Sequence, residues 1–253
     1  MSSSLEERVK REKEQYNSGL KRDSYNSLFS HCTDFTNLVK EAYLIDEMAP
    51  KMDGRVLEIG CDCWYGWLHN MGLKPKEIHS INISETELEI GKQNLGKTSI
   101  EPIFHVMDAH KLEFPDNHFD LVFGGALLHH LDLSVALDEI KRVLKPGGKM
   151  VFWEPLRLNP LAIIARKLTP KVRTVDERPF GFSELKEVSS RFNMRIIPFE
   201  LFVTPVGVLS KLLFKKTDNW LMRTAYFCDR TLVKLFPPIK YFYRTMILIG
   251  ETI

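Results

Sequence analysis

Residues 55–61 read RVLEIGC, a short apolar run that carries an acid and ends at a glycine. The apolar positions predict a buried strand, with Glu58 and Gly60 near its end. A glycine directly after a strand lets the chain turn tightly and brings backbone amides close to a ligand. This stretch therefore predicts a strand whose carboxyl end faces a binding site.

Strand and helix patterns alternate through the residues that follow. The predicted strands are short apolar runs bounded by turn residues, at residues 55–59, 78–83, 102–107, 119–124 and 149–154. Ser84 and Glu87 predict a capping box at a helix start, and residues 134–144 predict an amphipathic helix. This alternation is typical of a parallel sheet built from βαβ units, in which ligands bind beyond the carboxyl ends of the strands.

The sequence predicts an organisation around this core. We expect an N-terminal helical segment over residues 1–50, with a solvated helix near residues 5–9 and an amphipathic helix over residues 35–48. Residues 51–253 are predicted to form one α/β domain with cap insertions near residues 155–182 and 205–238. Further predicted elements are helices over residues 65–71, 183–191 and 206–236 and strands over residues 194–203 and 241–250.

Length and composition limit the function classes. The chain has 253 residues, 44% of them hydrophobic and 27% charged, as expected for one large globular α/β domain. A net charge of +2 does not by itself indicate a nucleic-acid partner. Four cysteines and a highly charged start, MSSSLEERVKREKE, predict a cytoplasmic protein. No stretch approaches the roughly 18 apolar residues of a membrane-spanning helix.

Three blocks in fixed order resemble the class I S-adenosylmethionine (SAM)-dependent methyltransferases, in particular the type 11 group of small-molecule and quinone methyltransferases. The blocks are VLEIGC (56–61), DAHKLEFPDNHFDLVFGGALLHHLD (108–132) and EIKRVLKPGGKMVFWEP (139–155). The resemblance implies a Rossmann-like sheet of seven mostly parallel strands, with helices on both faces and the last strand antiparallel. It also implies SAM as the cofactor.

The resemblance also assigns cofactor contacts. Glu58 lies where the family anchors the methionine end of SAM, and Asp108 lies where an acid accepts a hydrogen bond from the adenine amino group. Ala109 would offer its backbone amide to the ring, and the loop that begins at Gly124 and Gly125 could pass close to the ligand. The alternative for Glu58 and Asp108 is a solvated acid at a strand end.

Two positions depart from the family pattern. The family loop reads Glu-x-Gly-x-Gly-x-Gly, whereas this chain continues from Gly60 as GCDCW (60–64), so that Asp62 and Trp64 replace glycines. Asp62 tolerates a left-handed backbone and could keep the turn. At the end of the second strand, Asn82 replaces the acid that holds the ribose hydroxyls. These changes leave open a working methyltransferase or a SAM-fold protein repurposed for non-methylating chemistry or for binding only.

His129 and His130 are the candidate catalytic residues. Methyl transfer mainly needs alignment of the acceptor with the sulfonium methyl for in-line displacement, and a base helps when the acceptor is a hydroxyl or an acidic carbon. We expect O-methylation, with His130 preferred as the base, and the alternative is that both histidines are scaffold residues. Arg173 and Arg178 could hold a charged group of the acceptor or form a surface salt-bridge cluster.

The C-terminal third combines apolar and basic residues in LFVTPVGVLSKLLFKK (201–216) and TLVKLFPPIKYFYR (231–244). This composition suits a lid over a small, lipophilic acceptor, and it also suits a helix on an anionic membrane surface. Cys61 and Cys63 lack further ligands at zinc spacing, so no metal is predicted. GGAL stands where amino-group methylating enzymes of nucleic acids carry NPPY or DPPY, and we expect no nucleic-acid partner. The sequence does not predict an oligomeric state.

Overall fold

The fold was determined as a computed structural model, and the structure describes residues 4–17, 29–61, 74–95, 101–168 and 176–252. Several sequence predictions fall outside these residues: Asp62, Cys63, Trp64, the helix over 65–71, and Arg173.

One seven-stranded sheet organises the described chain. Its strands are β1 (Arg55–Ile59), β2 (Glu77–Asn82), β3 (Ile103–Val106), β4 (Phe119–Gly125), β5 (Leu144–Pro155), β6 (Phe192–Phe199) and β7 (Thr245–Thr252). The spatial order is β3-β2-β1-β4-β5-β7-β6, and β7 runs antiparallel to both of its neighbours. This confirms the predicted Rossmann-like, mostly parallel sheet with an antiparallel last strand.

The central strands are buried on both faces, as parallel strands covered by helices usually are. Residues 56–59 of β1 and 78–81 of β2 are all buried. Strand β5 begins earlier than predicted, because Leu144 already pairs with Phe119 before the register shifts around the predicted turn. That turn, KPGG at residues 145–148, is therefore an irregularity within β5 rather than a separate helix end.

Helices cover the sheet. They are α1 (Leu5–Asn17), α2 (Ser30–Met48), α3 (Glu85–Asn94), α4 (Leu133–Val143), α5 (Pro160–Leu168), α6 (Phe182–Ser189), α7 (Val203–Leu213) and α8 (Trp220–Leu235), with 3-10 segments at Ala49–Lys51, Leu128–His130 and Pro237–Phe242. At the predicted capping box, Ser84 accepts a hydrogen bond from the Glu87 amide. Within the described residues, no helix is both long and apolar enough to cross a bilayer.

Two apolar layers hold the helices to the sheet. On one face, Leu57, Val122 and Phe152 pack with Leu137 and Ile140 of α4. On the other face, a second group of buried residues packs together, including Val56, Ile78, Leu121, Val151, Met48 and Met52. Burial of these side chains fixes the strand register, because a shift by one residue would turn each one to the opposite face.

The prediction that the first helix is solvated is wrong for one of its faces. Arg8 and Glu12 of α1 are both buried. The Arg8 guanidinium donates to the carbonyl oxygens of His130 and Asp176, at 2.9 and 3.0 Å. Arg11 forms a bidentate pair with the Asp176 carboxylate. Because the buried face of α1 is polar, the hydrophobic pattern gave no sign of it.

Candidate active site

The carboxyl ends of four parallel strands meet at one edge of the sheet. The chain leaves β1 toward β2 on one side, while β4 pairs with the other side of β1. Such a reversal of strand order opens a crevice in which open α/β sheets bind ligands. The loops that follow β1, β2, β3 and β4 therefore define the candidate site.

The turn after β1 has a left-handed backbone at two successive residues. Gly60 has φ of 112° and Cys61 has φ of 61°. The Gly60 amide donates to the Ile81 carbonyl at 2.9 Å, which keeps the turn against β2. A left-handed conformation is costly for a non-glycine residue and is concentrated at functional sites. Cys61 therefore adopts a left-handed backbone in the described chain, and the same conformation at Asp62 stays a prediction.

Asn82 connects this turn to the start of α3. Its Nδ2 donates to the Gly60 carbonyl at 2.6 Å, and its Oδ1 accepts from the Ser84 amide at 2.9 Å. A carboxylate could not donate to the Gly60 carbonyl, which gives a physical reason for an amide here. Since an amide has two N–H groups and two lone pairs, Asn82 keeps capacity for a ribose hydroxyl. That contact stays a prediction.

Glu58 is not the solvated acid that the alternative interpretation described. Its side chain is buried, and Oε2 accepts a hydrogen bond from the Ser80 hydroxyl at 2.9 Å. Because a buried acid needs such partners, the neighbouring strand β2 fixes the Glu58 side chain. Its predicted contact with the methionine end of SAM stays a prediction.

Asp108 is held by a residue that sequence analysis missed. Its Oδ1 accepts from both the amide and the Nδ1 of His110, at 2.9 and 2.7 Å. The His110 Nε2 in turn accepts from the Asp132 amide at 2.9 Å. This second bond requires a lone pair on Nε2, so the proton lies on Nδ1 and points at Asp108. The DAH sequence was visible, but the contact with Asp132 arises only when the loops after β3 and β4 meet.

These bonds decide the charge of Asp108. Burial raises the pKa of its carboxyl group, but the two hydrogen bonds from His110 outweigh burial and leave the pKa below the ordinary value. Asp108 is therefore an oriented carboxylate at neutral pH. Among the described residues, none donates to its Oδ2, and its side chain is 30% exposed. The neighbouring Ala109 is buried, and its predicted contact with the adenine ring stays a prediction.

The loop after β4 is tightly packed against the sheet. A Cβ on Gly124 would lie 2.4 Å from the Ile59 carbonyl oxygen and 2.9 Å from the Phe152 ring. Gly124 is therefore required by packing within the sheet, whereas the sequence analysis attributed it to the ligand. Ala126 follows with φ of 51°, and its amide donates to Trp153. The predicted cofactor contacts of Gly124 and Gly125 stay predictions.

His129 is anchored by a fully buried carboxylate. Its Nδ1 lies 2.7 Å from Glu154 Oε2, and Glu154 Oε1 accepts from the amides of Leu127 and Leu128. Glu154 stands at the end of β5 and is 0% exposed. This arrangement fixes the backbone of the loop after β4. It supports the scaffold interpretation for His129.

His130 faces α1 instead. Its Nδ1 lies 3.3 Å from Glu12 Oε2, and the ring of Tyr16 approaches the imidazole edge-on at 6.1 Å between centroids. The His130 and Glu12 side chains are only 14% and 8% exposed. Neither Glu12 oxygen accepts a hydrogen bond from the part of the chain that the structure describes. Glu12 could not be predicted from the sequence, since a lone acid in a charged helix gives no signal.

The charged cap segment lies beside this region. Arg178 is exposed, its amide donates to the His129 carbonyl at 2.7 Å, and it lines an open pocket with Arg8 and Asp132. Asp176 holds Arg11 of α1, so this residue follows the salt-bridge interpretation. A contact between Arg178 and the acceptor stays a prediction.

Part of this chain is similar in sequence to known proteins. The model of a family described as a methyltransferase domain matches residues 57–152, which include the last three residues of β1 and the loops after β2, β3 and β4. The chain carries a class I SAM-dependent methyltransferase domain. It is similar to the ubiquinone/menaquinone biosynthesis C-methyltransferase UbiE of Cupriavidus necator, with 39% identity over 89 residues, covering 32% of this chain and 36% of the relative.

UbiE of Laribacter hongkongensis is 39% identical over 101 residues, which cover 36% of this chain and 40% of the relative. This chain thus spans well under half the length of these two relatives. The methyltransferase fold extends further than the sequence similarity. The N-methyltransferase NodS from Bradyrhizobium japonicum, in complex with S-adenosylhomocysteine, has a TM-score of 0.54 at 12% identity and covers 98% of this chain and 96% of its own.

Geranyl diphosphate C-methyltransferase from Streptomyces coelicolor, in complex with Mg²⁺, geranyl diphosphate and S-adenosylhomocysteine, gives a TM-score of 0.55 at 11% identity. It covers 85% of this chain and 78% of its own. At such low identity, both structures establish the fold of the methyltransferase domain alone.

The described residues of this domain fit SAM, its cofactor. A left-handed turn at Gly60 and Cys61 follows the end of β1, and Asp108 offers a charged oxygen after the end of β3. Asn82 would face the ribose, and Glu58 would anchor the methionine end through neighbouring groups. When bound, SAM supplies a methyl group on a positively charged sulfonium.

Replacement of Asp108 by alanine should weaken binding of S-adenosylhomocysteine. The change removes a charged acceptor and frees the His110 ring, so we expect a loss of about ten-fold or more in affinity. Calorimetry measures it, with Asp53→Ala as the control, because Asp53 is an exposed aspartate at the opposite edge of the sheet. Equal affinity of the two variants would contradict the assignment of Asp108.

Replacement of Asn82 by aspartate, which restores the residue type usual in the family, should destabilise this protein. It removes the donor to Gly60 and sets a carboxylate against a carbonyl oxygen 2.6 Å away. We expect a loss of about 1–3 kcal/mol in the free energy of unfolding, measured with urea. Unchanged stability with tighter binding of S-adenosylhomocysteine would show instead that residue 82 serves the ribose alone.

Proposed function

We propose that this protein is a SAM-dependent methyltransferase that acts on a small, lipophilic acceptor with an ionisable O–H or C–H group. The observation that carries the proposal is a chain of contacts along the crevice. Asp108 is hydrogen-bonded to His110, and His110 is hydrogen-bonded to the Asp132 amide. The loop after β4, which contains Asp132, also places His130 beside the buried Glu12. A cofactor-type acid and a candidate base therefore stand in one connected site.

The atom that receives the methyl group is either an oxygen or a carbon of the acceptor. The sequence favoured oxygen. The relatives that share a segment with this chain are named C-methyltransferases. Either acceptor must lose a proton when it is methylated. A base is useful in both cases, and the methylated product distinguishes them.

His130 is the proposed base, and Glu12 is its partner. An imidazole can take a proton near neutral pH. The Glu12 carboxylate, 3.3 Å from Nδ1, would stabilise the positive charge that His130 gains from the acceptor. Both side chains are largely buried where α1 meets the loop after β4. This burial strengthens their attraction, because water screens it less. His129 and Glu154 would keep the loop backbone fixed while the proton moves.

Helix α1 would exclude water from the site. Arg8 attaches it to His130 and Asp176, and Asn17 at its end lies 2.6 Å from the Ser84 hydroxyl. The division into residues 1–50 and 51–253 is a proposal about chain organisation, and α1 would complete the site of the larger part. We also propose a cytoplasmic location, because four cysteines without a dense disulfide pattern suit a reducing compartment.

A repurposed protein without methyl transfer was the alternative, and the comparisons give it no support. Titration with S-adenosylhomocysteine tests the cofactor part of the proposal. We expect binding at micromolar concentration or tighter, because His110 already orients the Asp108 carboxylate. Binding without turnover on a panel of phenols, enols and quinols would favour the binding-only alternative. No binding at high concentration would contradict the proposed function.

His130→Ala should lower kcat by about a hundred-fold or more and leave the affinity for S-adenosylhomocysteine unchanged, because a base acts on the acceptor alone. Glu12→Gln should lower kcat less, because it keeps His130 and removes only the charge that stabilises its protonated form. His118→Ala is the matched control, because this histidine lies at the opposite edge of the sheet. Full activity of His130→Ala would make His130 a scaffold residue.

A further inference from the structure

Helices α7 and α8 pack on each other and present an apolar surface at the loop that joins them. We call residues 209–220 the hairpin tip. Leu212, Leu213 and Trp220 are 80%, 62% and 66% exposed, which is unusual for side chains of this size in one place. Leu209 is 47% exposed and shares a helix face with Leu212 and Leu213, at intervals of three and four residues.

The exposed face is opposite to the face that packs on the protein. Gly207 of α7 lies so close to Cys32 of α2 that a Cβ would be 2.7 Å from the Cys32 Cβ. Met222 and Ala225 of α8 are also buried. The packing therefore uses one face of each helix and leaves the leucines and Trp220 outside.

Hydrogen bonds of Asn219 hold the hairpin tip in a defined conformation. The Asn219 amide donates to the Ser210 hydroxyl at 2.8 Å and to the Lys216 carbonyl at 2.9 Å. Its Oδ1 accepts from the Leu221 and Met222 amides and caps α8. These bonds fix the loop, and its apolar side chains remain exposed to solvent. Hydrophobic exposure that is fixed in this way indicates a binding surface.

Basic residues surround the apolar side chains. Between residues 209 and 223 the chain has four basic side chains and one acidic one, a net charge of +3. Lys211, Lys215 and Lys216 are exposed, and Asp218 is paired with Arg223. Leucines that can enter the acyl region, a tryptophan at the edge and lysines at headgroup level are the features of a surface that binds anionic lipid.

We propose that the hairpin tip docks this protein on an anionic phospholipid bilayer. Leu212, Leu213 and Trp220 enter the outer part of the bilayer, and the three lysines contact lipid phosphates. The charge favours this occupant over a second copy of the chain, because two tips that meet would bring six lysines together. The proposal rests on the tip alone and does not depend on the methyl-transfer reaction.

The test is flotation of the full chain with lipid vesicles. The native protein should bind vesicles of mixed phosphatidylcholine and phosphatidylglycerol, bind pure phosphatidylcholine vesicles more weakly, and lose binding as salt rises. Leu212→Ser with Leu213→Ser should lower partitioning by at least about ten-fold. The matched control is Leu38→Ser with Ile90→Ser, two exposed aliphatic residues on other helices, and it should bind like the native protein.

Two further measurements separate the outcomes. Trp220 fluorescence should shift to the blue when anionic vesicles are added, and Trp220→Phe should abolish the shift while the melting temperature stays unchanged. Lys215→Glu with Lys216→Glu should remove the preference for anionic lipid. The proposal is overturned if the native protein does not bind anionic vesicles, or if the serine variant binds equally well. It is also overturned if light scattering shows a dimer that the serine variant converts to monomer without any lipid binding.

Discussion

The parallel pairing of β1 with β2 on one side and β4 on the other is the constraint on which the remaining structure depends. Residues 56–59 of this strand are buried, so its backbone groups must bond both neighbours and its side chains must pack on both faces. Gly124 shows how little room is left, because any side chain there would strike the Ile59 carbonyl. The same pairing aligns the strand ends and thereby creates the crevice.

The buried carboxylate of Glu154 connects the sheet to the loop after β4. Glu154 extends from β5 and binds two amides of the loop after β4 together with the His129 ring. A fully buried charge is stable only when it is paired and hydrogen-bonded, so the loop has little freedom to move away. His130, the next residue, is consequently held at a fixed place under α1. Arg8 and Glu12 of α1 both contact His130 there.

The two departures from the family pattern have different explanations. Asn82 donates to the Gly60 carbonyl and accepts from the Ser84 amide, and a carboxylate could make only the second of these bonds. The shortened set of glycines is offset in part by Cys61, which takes a left-handed backbone itself. Both adaptations keep the turn after β1 joined to β2.

The sequence by itself determined the sheet, because alternating apolar runs and turn residues are local signals. Strand β1 matched its predicted bounds, and Asp108 follows the third strand, as its motif predicted. Only the tertiary structure decided that His110 orients Asp108, that Glu154 anchors His129, and that Glu12 reaches His130. These contacts join residues far apart in the chain through single polar atoms, which leave no periodic pattern. Helix α1 illustrates the limit, since its buried face is charged and a hydrophobic pattern reads such a face as solvated.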